Sequence, residues 1–119
     1  KPIAPWLADG AKVEGVEGDK DLFGDGSVVM IALGGHTPGH HGLLVRLPSG
    51  RTVLLSGDVA HFHENLDSDG VPTFNVDRAD SLAAMDRFRK LGASLKAVSI
   101  IQHDPRDVAK LPAFPEGAE

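Results

Sequence analysis

The chain has 119 residues, 41% of them apolar, and a net charge of −5, with 17 Asp and Glu against 12 Lys and Arg. This length suits one domain with its own core, and the composition excludes a disordered chain. The acidic balance, without a basic stripe, argues against a nucleic-acid partner. The longest apolar run, 28–33, is too short to cross a membrane. Because no cysteine is present, any bound metal must use histidine and carboxylate ligands.

The first half of the chain predicts short β-strands joined by turns. After an irregular arm of about eleven residues, weak alternation over Lys12–Val16 predicts a short strand. The β-branched apolar run Val28–Leu33 predicts a buried strand. Gly42–Leu47 and Arg51–Leu55 predict two more strands, and Pro48-Ser49-Gly50 between them has the length and chemistry of a hairpin turn.

The second half predicts a loop, a helix and a final strand. Asp58–Asn75 is rich in His, Asp and Gly and predicts a long loop of the kind that often carries function. Asp77–Leu91 predicts the main helix, with its first residue as N-cap and Gly92 as the residue that ends it. Leu95–Ile101 predicts the last strand, and Val108–Leu111 predicts a short helical piece. This order predicts an α/β or α+β fold in which one helix covers one face of the sheet.

Side chains that bind metals follow three of the predicted strands. His36 and His40 flank a tight Thr-Pro-Gly turn, Asp58 follows a Ser-Gly pair, and His103 follows the last strand. Imidazole nitrogens and carboxylate oxygens presented together are typical of a catalytic metal centre, which leaves one position open for water. Each histidine taken singly fits a turn residue with an incidental side chain. Residues of ligand type at the ends of three predicted strands together favour a metal site.

A second pair of histidines, His61 and His63, lies in the predicted loop. A His-x-His pair on a strand can chelate a metal ion, but this pair lies in a polar loop and lacks the following Asp-His that makes such a motif specific. His61 comes three residues after Asp58. It is therefore predicted to face the substrate or to support the site.

The combined spacing of these residues resembles the C-terminal half of the metallo-β-lactamase superfamily. The resemblance rests on His36-Thr37-Pro38-Gly39-His40, on Asp58 22 residues after His36, and on His103 45 residues after Asp58. The segments 54–58 and 74–78 are similar to the N-acyl-homoserine lactonase-like members of that family. The resemblance implies half of an αββα sandwich, with a mostly antiparallel or mixed sheet and one main helix. Residues 1–119 would form a single, partial domain.

The resemblance also implies a centre of two divalent metal ions, usually zinc, with iron or manganese as alternatives. His36 would bind the first metal, Asp58 would bridge both, and His103 would bind the second. His40 would support these ligands without binding metal itself. His61 lies where related lactonases place a tyrosine near the substrate carbonyl, which gives it a catalytic role beside Asp58.

The activity implied is metal-dependent hydrolysis, with the opening of an N-acyl-homoserine lactone ring by a metal-bound hydroxide (quorum quenching) as the first expectation. The alternatives are a glyoxalase-II-like thioesterase, a β-lactamase or a phosphodiesterase on the same site, and a non-catalytic half-domain that dimerises through an exposed sheet face. The His-x-His-x-Asp-His motif of the family does not occur in these 119 residues. Further ligands are therefore expected from a missing N-terminal half or from a second chain.

The partner expected from this chemistry is a small-molecule lactone or ester, without a membrane or a nucleic acid. Because the chain begins with Lys1 rather than Met, we expect it to be processed or part of a longer protein. The bacterial cytoplasm and the periplasm both fit this sequence.

Overall fold

A computed structural model describes residues 4–113 and 115–118 of the chain. Within these ranges five β-strands form one sheet, in the order β1-β2-β3-β4-β5. The strands are β1 (Lys20–Asp21), β2 (Val28–Ala32), β3 (His41–Arg46), β4 (Thr52–Leu55) and β5 (Val98–Ile100). Strands β1 to β4 pair antiparallel in succession, whereas β4 and β5 run parallel. The mixed sheet confirms the predicted fold class.

Three α-helices accompany the sheet: α1 (His63–Ser68), α2 (Arg78–Leu95) and α3 (Pro105–Val108). Asp77 caps the main helix, α2, because its side chain accepts the Asp80 N–H at 2.8 Å, as predicted. The helix continues through Gly92 and ends where Lys96 adopts a left-handed conformation, so the predicted end at Gly92 is wrong. A Cβ at Gly92 would lie 3.0 Å from Ser99 Oγ. Glycine here lets α2 pack closely on β5.

The strands predicted over 28–33, 42–47 and 51–55 are confirmed as β2, β3 and β4. The last strand is shorter than the predicted 95–101, because Leu95 still belongs to α2 and β5 begins at Val98. In the turn between β3 and β4, Leu47 and Arg51 pair through a 2.8 Å hydrogen bond, and Gly50 has φ 84°. The strand predicted over Lys12–Val16 is wrong, because these mostly exposed residues have no core to pack on. The edge strand forms instead at β1, where Lys20 pairs with Met30.

Two short helices differ from the sequence prediction. The predicted loop 58–75 contains α1, and the predicted helical piece at 108–111 forms earlier, as α3. Helix α3 begins at Pro105 because Asp104 caps it, with Oδ1 accepting the Arg106 N–H at 2.9 Å. Among the described residues, no helix combines the length and apolar character needed to cross a membrane.

The core lies between α2 and one face of the sheet. Its buried apolar side chains are Ile31, Leu33, Leu44, Leu54, Val59, Ala60, Leu66, Ala84, Met85, Phe88 and Ile101. Because side chains alternate along a strand, the strand registers place half-buried apolar residues together on the opposite face. These residues are Val28, Met30, Leu43, Val45 and Leu55. The main helix, α2, therefore covers the face of the sheet that carries the buried core residues, as predicted.

The parallel pairing of β4 and β5 determines where the candidate site lies. Leu55 pairs with Ile100, and the Ser56 N–H donates to the Ile100 carbonyl at 3.0 Å. The segments that follow these strands, with Asp58 and His103, therefore leave the sheet at the same edge. The β2–β3 turn with His36 lies at this edge too, because β3 starts where its antiparallel neighbours β2 and β4 end.

Candidate metal centre

Asp58 lies at the middle of the histidine cluster. Its Oδ1 is 2.8 Å from His103 Nε2, and its Oδ2 is 3.4 Å from His36 Nε2. A single 3-10 turn, Gly57–Val59, carries the carboxylate out from β4. Gly57 has φ 54°, and a Cβ there would lie 2.5 Å from His40 Nε2. Glycine at this position therefore permits the close approach of Asp58 to the β2–β3 turn.

The surroundings of Asp58 favour its ionised form. Partial burial raises the pKa of the carboxyl, but the hydrogen bond with His103 and the charges of His36, His103 and His61 outweigh it. The resulting pKa lies below the ordinary value. A carboxylate that directs one oxygen to each of two histidines has the chemistry to bridge two divalent cations.

His40 holds the backbone of Asp58 and leaves no free ring nitrogen. Its Nδ1–H donates to the Leu33 carbonyl at 2.9 Å, and its Nε2 accepts the Asp58 N–H at 2.7 Å. Burial lowers the pKa of His40 despite the opposing effects of Leu33 and Asp58. The neutral ring is thus fixed in one tautomer, and both nitrogens are used by the protein.

A chain of hydrogen bonds orients His36 from the start of α2. His36 Nδ1–H donates to Asn75 Oδ1 at 3.1 Å, and Asn75 Nδ2 donates to Ser81 Oγ at 2.9 Å. Ser81 Oγ in turn donates to the Asp77 carbonyl at 2.6 Å. This arrangement leaves His36 Nε2 directed at Asp58. No role was predicted for Asn75 or Ser81 from the sequence. The available signals were the position of Asn75 just before the helix cap and within the segment 74–78.

His61 faces the same cluster from the segment that follows Asp58. Its ring stacks on the His103 ring, with centroids 4.9 Å apart and planes at 17°, and lies 6.0 Å from the His36 ring. Asn65 Oδ1 accepts the His61 N–H at 3.2 Å and so holds the segment in place. Burial lowers the pKa of His61, and the nearby His103 lowers it further. The ring is therefore neutral at neutral pH.

The donor set fits a divalent cation. Within the described part of the chain, Asp58, His61 and His103 form the one group of three or more His, Asp or Glu residues whose ligand atoms all lie within 4.8 Å of one another. His36 Nε2 lies beside the other oxygen of Asp58. Imidazole and carboxylate donors suit zinc, iron and manganese. The structure thus brings together the three predicted ligands His36, Asp58 and His103, with His61 beside them.

His63 points away from this cluster. Its Nε2 is 2.9 Å from Oδ1 of Asp107, a fully buried carboxylate that also accepts the Ile101 N–H at 2.9 Å. Lys110 Nζ lies 2.5 Å from the same Oδ1. His63 therefore ties α1 to α3, and the His61-Phe62-His63 segment does not direct both rings at one ion.

Replacing Asp107 by asparagine should lower the free energy of unfolding at neutral pH. It should also make this free energy depend less on pH in the acid range. Burial raises the pKa of Asp107, but Lys110, the Ile101 N–H and His63 lower it below its ordinary value. The carboxylate therefore contributes stability above pH 4, and this contribution is lost as the pH falls through the folded-state pKa. We expect Asp107→Asn to cost about 1–3 kcal/mol at pH 7, since the buried Ile101 N–H and the partly exposed Lys110 and His63 side chains lose a charged acceptor.

Urea unfolding at pH 7 and at lower pH, down to about pH 2, measures both effects. Asp67→Asn, which changes an exposed aspartate of α1, is the matched control and should keep the parent profile. An Asp107→Asn variant with the parent's stability at pH 7 would contradict the assignment.

Comparison with known proteins relates the chain to one family. The family model of the metallo-beta-lactamase superfamily matches residues 5–103. The chain is 32% identical over 96 residues to N-acyl homoserine lactonase AttM of Rhizobium radiobacter, and 29% identical over 101 residues to an N-acyl homoserine lactonase of Bacillus sp. These alignments cover 81% and 85% of this chain. They cover 36% and 39% of the relatives, so the chain spans little more than a third of their length.

Solved structures show the same relationship. One is an N-acyl homoserine lactone hydrolase with the product N-hexanoyl-L-homoserine bound at its catalytic metal center. Another is a B. thuringiensis AiiA mutant with N-decanoyl-L-homoserine bound at the active site. Each matches with a TM-score of 0.74 and 27% identity, over 85% of this chain and 39% of its own. The chain therefore belongs to the metallo-β-lactamase superfamily.

Proposed function

We propose that this chain supplies one wall of the active site of a metal-dependent hydrolase that opens N-acyl-homoserine lactone rings. The observation that carries the proposal is the position of Asp58, with one oxygen facing His103 and the other facing His36. The similarity to proteins named N-acyl homoserine lactonases supports the choice of substrate. A hydrolase that removes such lactones would be a quorum-quenching enzyme.

In this proposal residues 1–119 are the C-terminal part of a larger domain that holds two divalent cations, zinc first, with iron or manganese as alternatives. His36 would hold one ion, His103 the other, and Asp58 both. Further ligands would come from an N-terminal segment or from a second chain. When bound, the ions would activate water and polarise the substrate carbonyl.

The remaining residues of the cluster would position these groups and contact the substrate. His40 holds the backbone of Asp58, and Asn75 orients His36. Asp58 would take up the proton of the attacking water and pass it to the ring oxygen as the carbon–oxygen bond of the lactone breaks. The neutral ring of His61 would donate a hydrogen bond to the substrate carbonyl or to the departing ring oxygen. Phe74, 66% exposed and 5.7 Å from the His61 ring, would offer apolar surface to the acyl chain.

The test compares four substrates with the zinc-loaded longer protein that contains this segment. They are an N-acyl-homoserine lactone, a thioester, a β-lactam and a phosphodiester. We expect the highest kcat/KM for the lactone, and lactone turnover no better than thioester turnover would contradict the proposed substrate.

In the same assay, His61→Ala should reduce lactone turnover by about 100-fold, the usual contribution of one positioned acid or base. Unchanged turnover would remove the catalytic role of His61.

A further inference from the structure

We propose that Asp58, His61 and His103 by themselves bind one divalent cation, with zinc as the preferred ion. This chain would then hold one metal ion without ligands from any other segment. This proposal rests on the proposed function in one respect, since Asp58 and His103 are ligands in both. It does not require that the protein hydrolyse a lactone. It assigns a ligand role to His61 in this chain by itself, whereas the proposed function places the same ring at the substrate in the longer protein.

The three ligand groups are already close to the separations that one ion requires. All three ligand atoms lie within 4.8 Å of one another, and His103 Nε2 is 2.8 Å from Asp58 Oδ1. Ligands of one tetrahedral zinc ion lie about 3–4 Å apart, given zinc–nitrogen bonds of about 2.0–2.1 Å. The rings of His61 and His103 stack, with centroids 4.9 Å apart and planes at 17°. In the proposed site, rotation of the two stacked rings would turn one nitrogen of each toward an ion beside the Asp58 carboxylate.

One ring nitrogen of His61 has no hydrogen-bond partner within the part of the chain that the structure describes and could therefore bind a metal ion. Its Nδ1 is buried and has no hydrogen-bond partner among the described residues, and no other buried side-chain nitrogen or oxygen in that part of the chain lacks one. In contrast, both ring nitrogens of His40 are engaged by the protein, and His63 Nε2 is paired with Asp107. A buried polar atom without a partner is unfavourable. A cation between His61, Asp58 and His103 would give this imidazole a binding partner.

The exposure of the site leaves room for water to complete the coordination. The side chains of Asp58 and His103 are 38% and 52% exposed. Two imidazoles and a carboxylate with an open, solvent-facing position form the ligand pattern of catalytic zinc sites. The site would therefore take a hydrated divalent cation with a preference for nitrogen ligands.

Zinc titration of the 119-residue chain by calorimetry tests the proposal directly. We expect one strongly bound Zn²⁺ per chain. His61→Ala should weaken binding by about 100-fold or more, because the loss of residues that merely support a ligand already costs about 10- to 100-fold. His41→Ala is the matched control, since the ring nitrogens of His41 lie 2.8 and 3.0 Å from the carbonyl oxygens of Gly39 and Gly18 and outside the cluster. It should bind zinc as the parent chain does.

The proposal is overturned if the parent chain binds no zinc, or if His61→Ala binds it as tightly as the parent. If that variant does not fold, the imidazole resonances of the parent chain decide the question. A shift of the His61 ring signals with one equivalent of zinc supports the ligand role, and unchanged signals overturn it. No lactone is present, so this result is separate from the substrate test of the longer protein.

Discussion

Replacing Gly35 by alanine is expected to lower the free energy of unfolding by about 3–5 kcal/mol, from left-handed backbone strain and overpacking together. Gly35 has φ 127°, and a Cβ there would lie 2.3 Å from the backbone nitrogen of Ser81 in α2. The Gly35 carbonyl also accepts the Asp77 N–H at 3.0 Å. If the backbone moved to make room for the added methyl group, the start of α2 would therefore move away from His36. Since a typical domain has a total stability of about 5–15 kcal/mol, this loss would take away a large fraction of the stability and lower the urea midpoint clearly.

Gly39 offers a matched control within the same turn. A Cβ at Gly39 would meet nothing within 4 Å, so Gly39→Ala should change stability by less than about 0.5 kcal/mol. Urea unfolding of both variants gives the comparison. Equal stabilities for the two variants would contradict the packing of the β2–β3 turn on α2.

Asp58→Asn is expected to abolish metal binding and lactone turnover while the fold persists. Asparagine keeps the size of the side chain but replaces one oxygen by an NH₂ donor and removes the negative charge. In the proposed hydrolase, the asparagine could no longer act as an anionic bridge between the two ions beside His36 and His103. We expect turnover in the longer protein to fall by about 1,000-fold, equivalent to about 4 kcal/mol of transition-state stabilisation.

Elemental analysis of the purified variant measures its metal content, and far-UV circular dichroism verifies its fold. Asp67→Asn, an exposed change in α1, should retain both metal and activity. An Asp58→Asn variant with full metal content and parental turnover would exclude Asp58 as the bridging ligand.

The sheet and the approximate site were predictable because they depend on local patterns. The β-branched run of β2 and the turn between β3 and β4 carry strong strand signals. His36, Asp58 and His103 were expected together because each follows a strand, and the parallel β4–β5 pair then brings the last two within 2.8 Å. The family resemblance supplied the connection between these strands that spacing alone does not give.

The missed features depend on contacts between distant segments. Helix α1 has only six residues, too few to form from intrinsic propensity, and it is held by the His63–Asp107 pair. The role of Asn75 depends on the loop before α2 folding back onto a turn 39 residues earlier. Gly92 carries a reliable stop signal in isolation, but packing against Ser99 overrides it.

The parallel pairing of β4 with β5 also has a consequence for how the chain folds. The two strands are joined by the whole segment from Ser56 to Ala97, including α1 and α2, so their pairing requires the closure of a long loop. Contacts between segments so far apart in sequence form slowly, after the local hairpin of β3 and β4. Asp58 and His103 meet only once this closure is complete. An ion that needs both would bind mainly to molecules that have finished folding, and its presence would slow their unfolding.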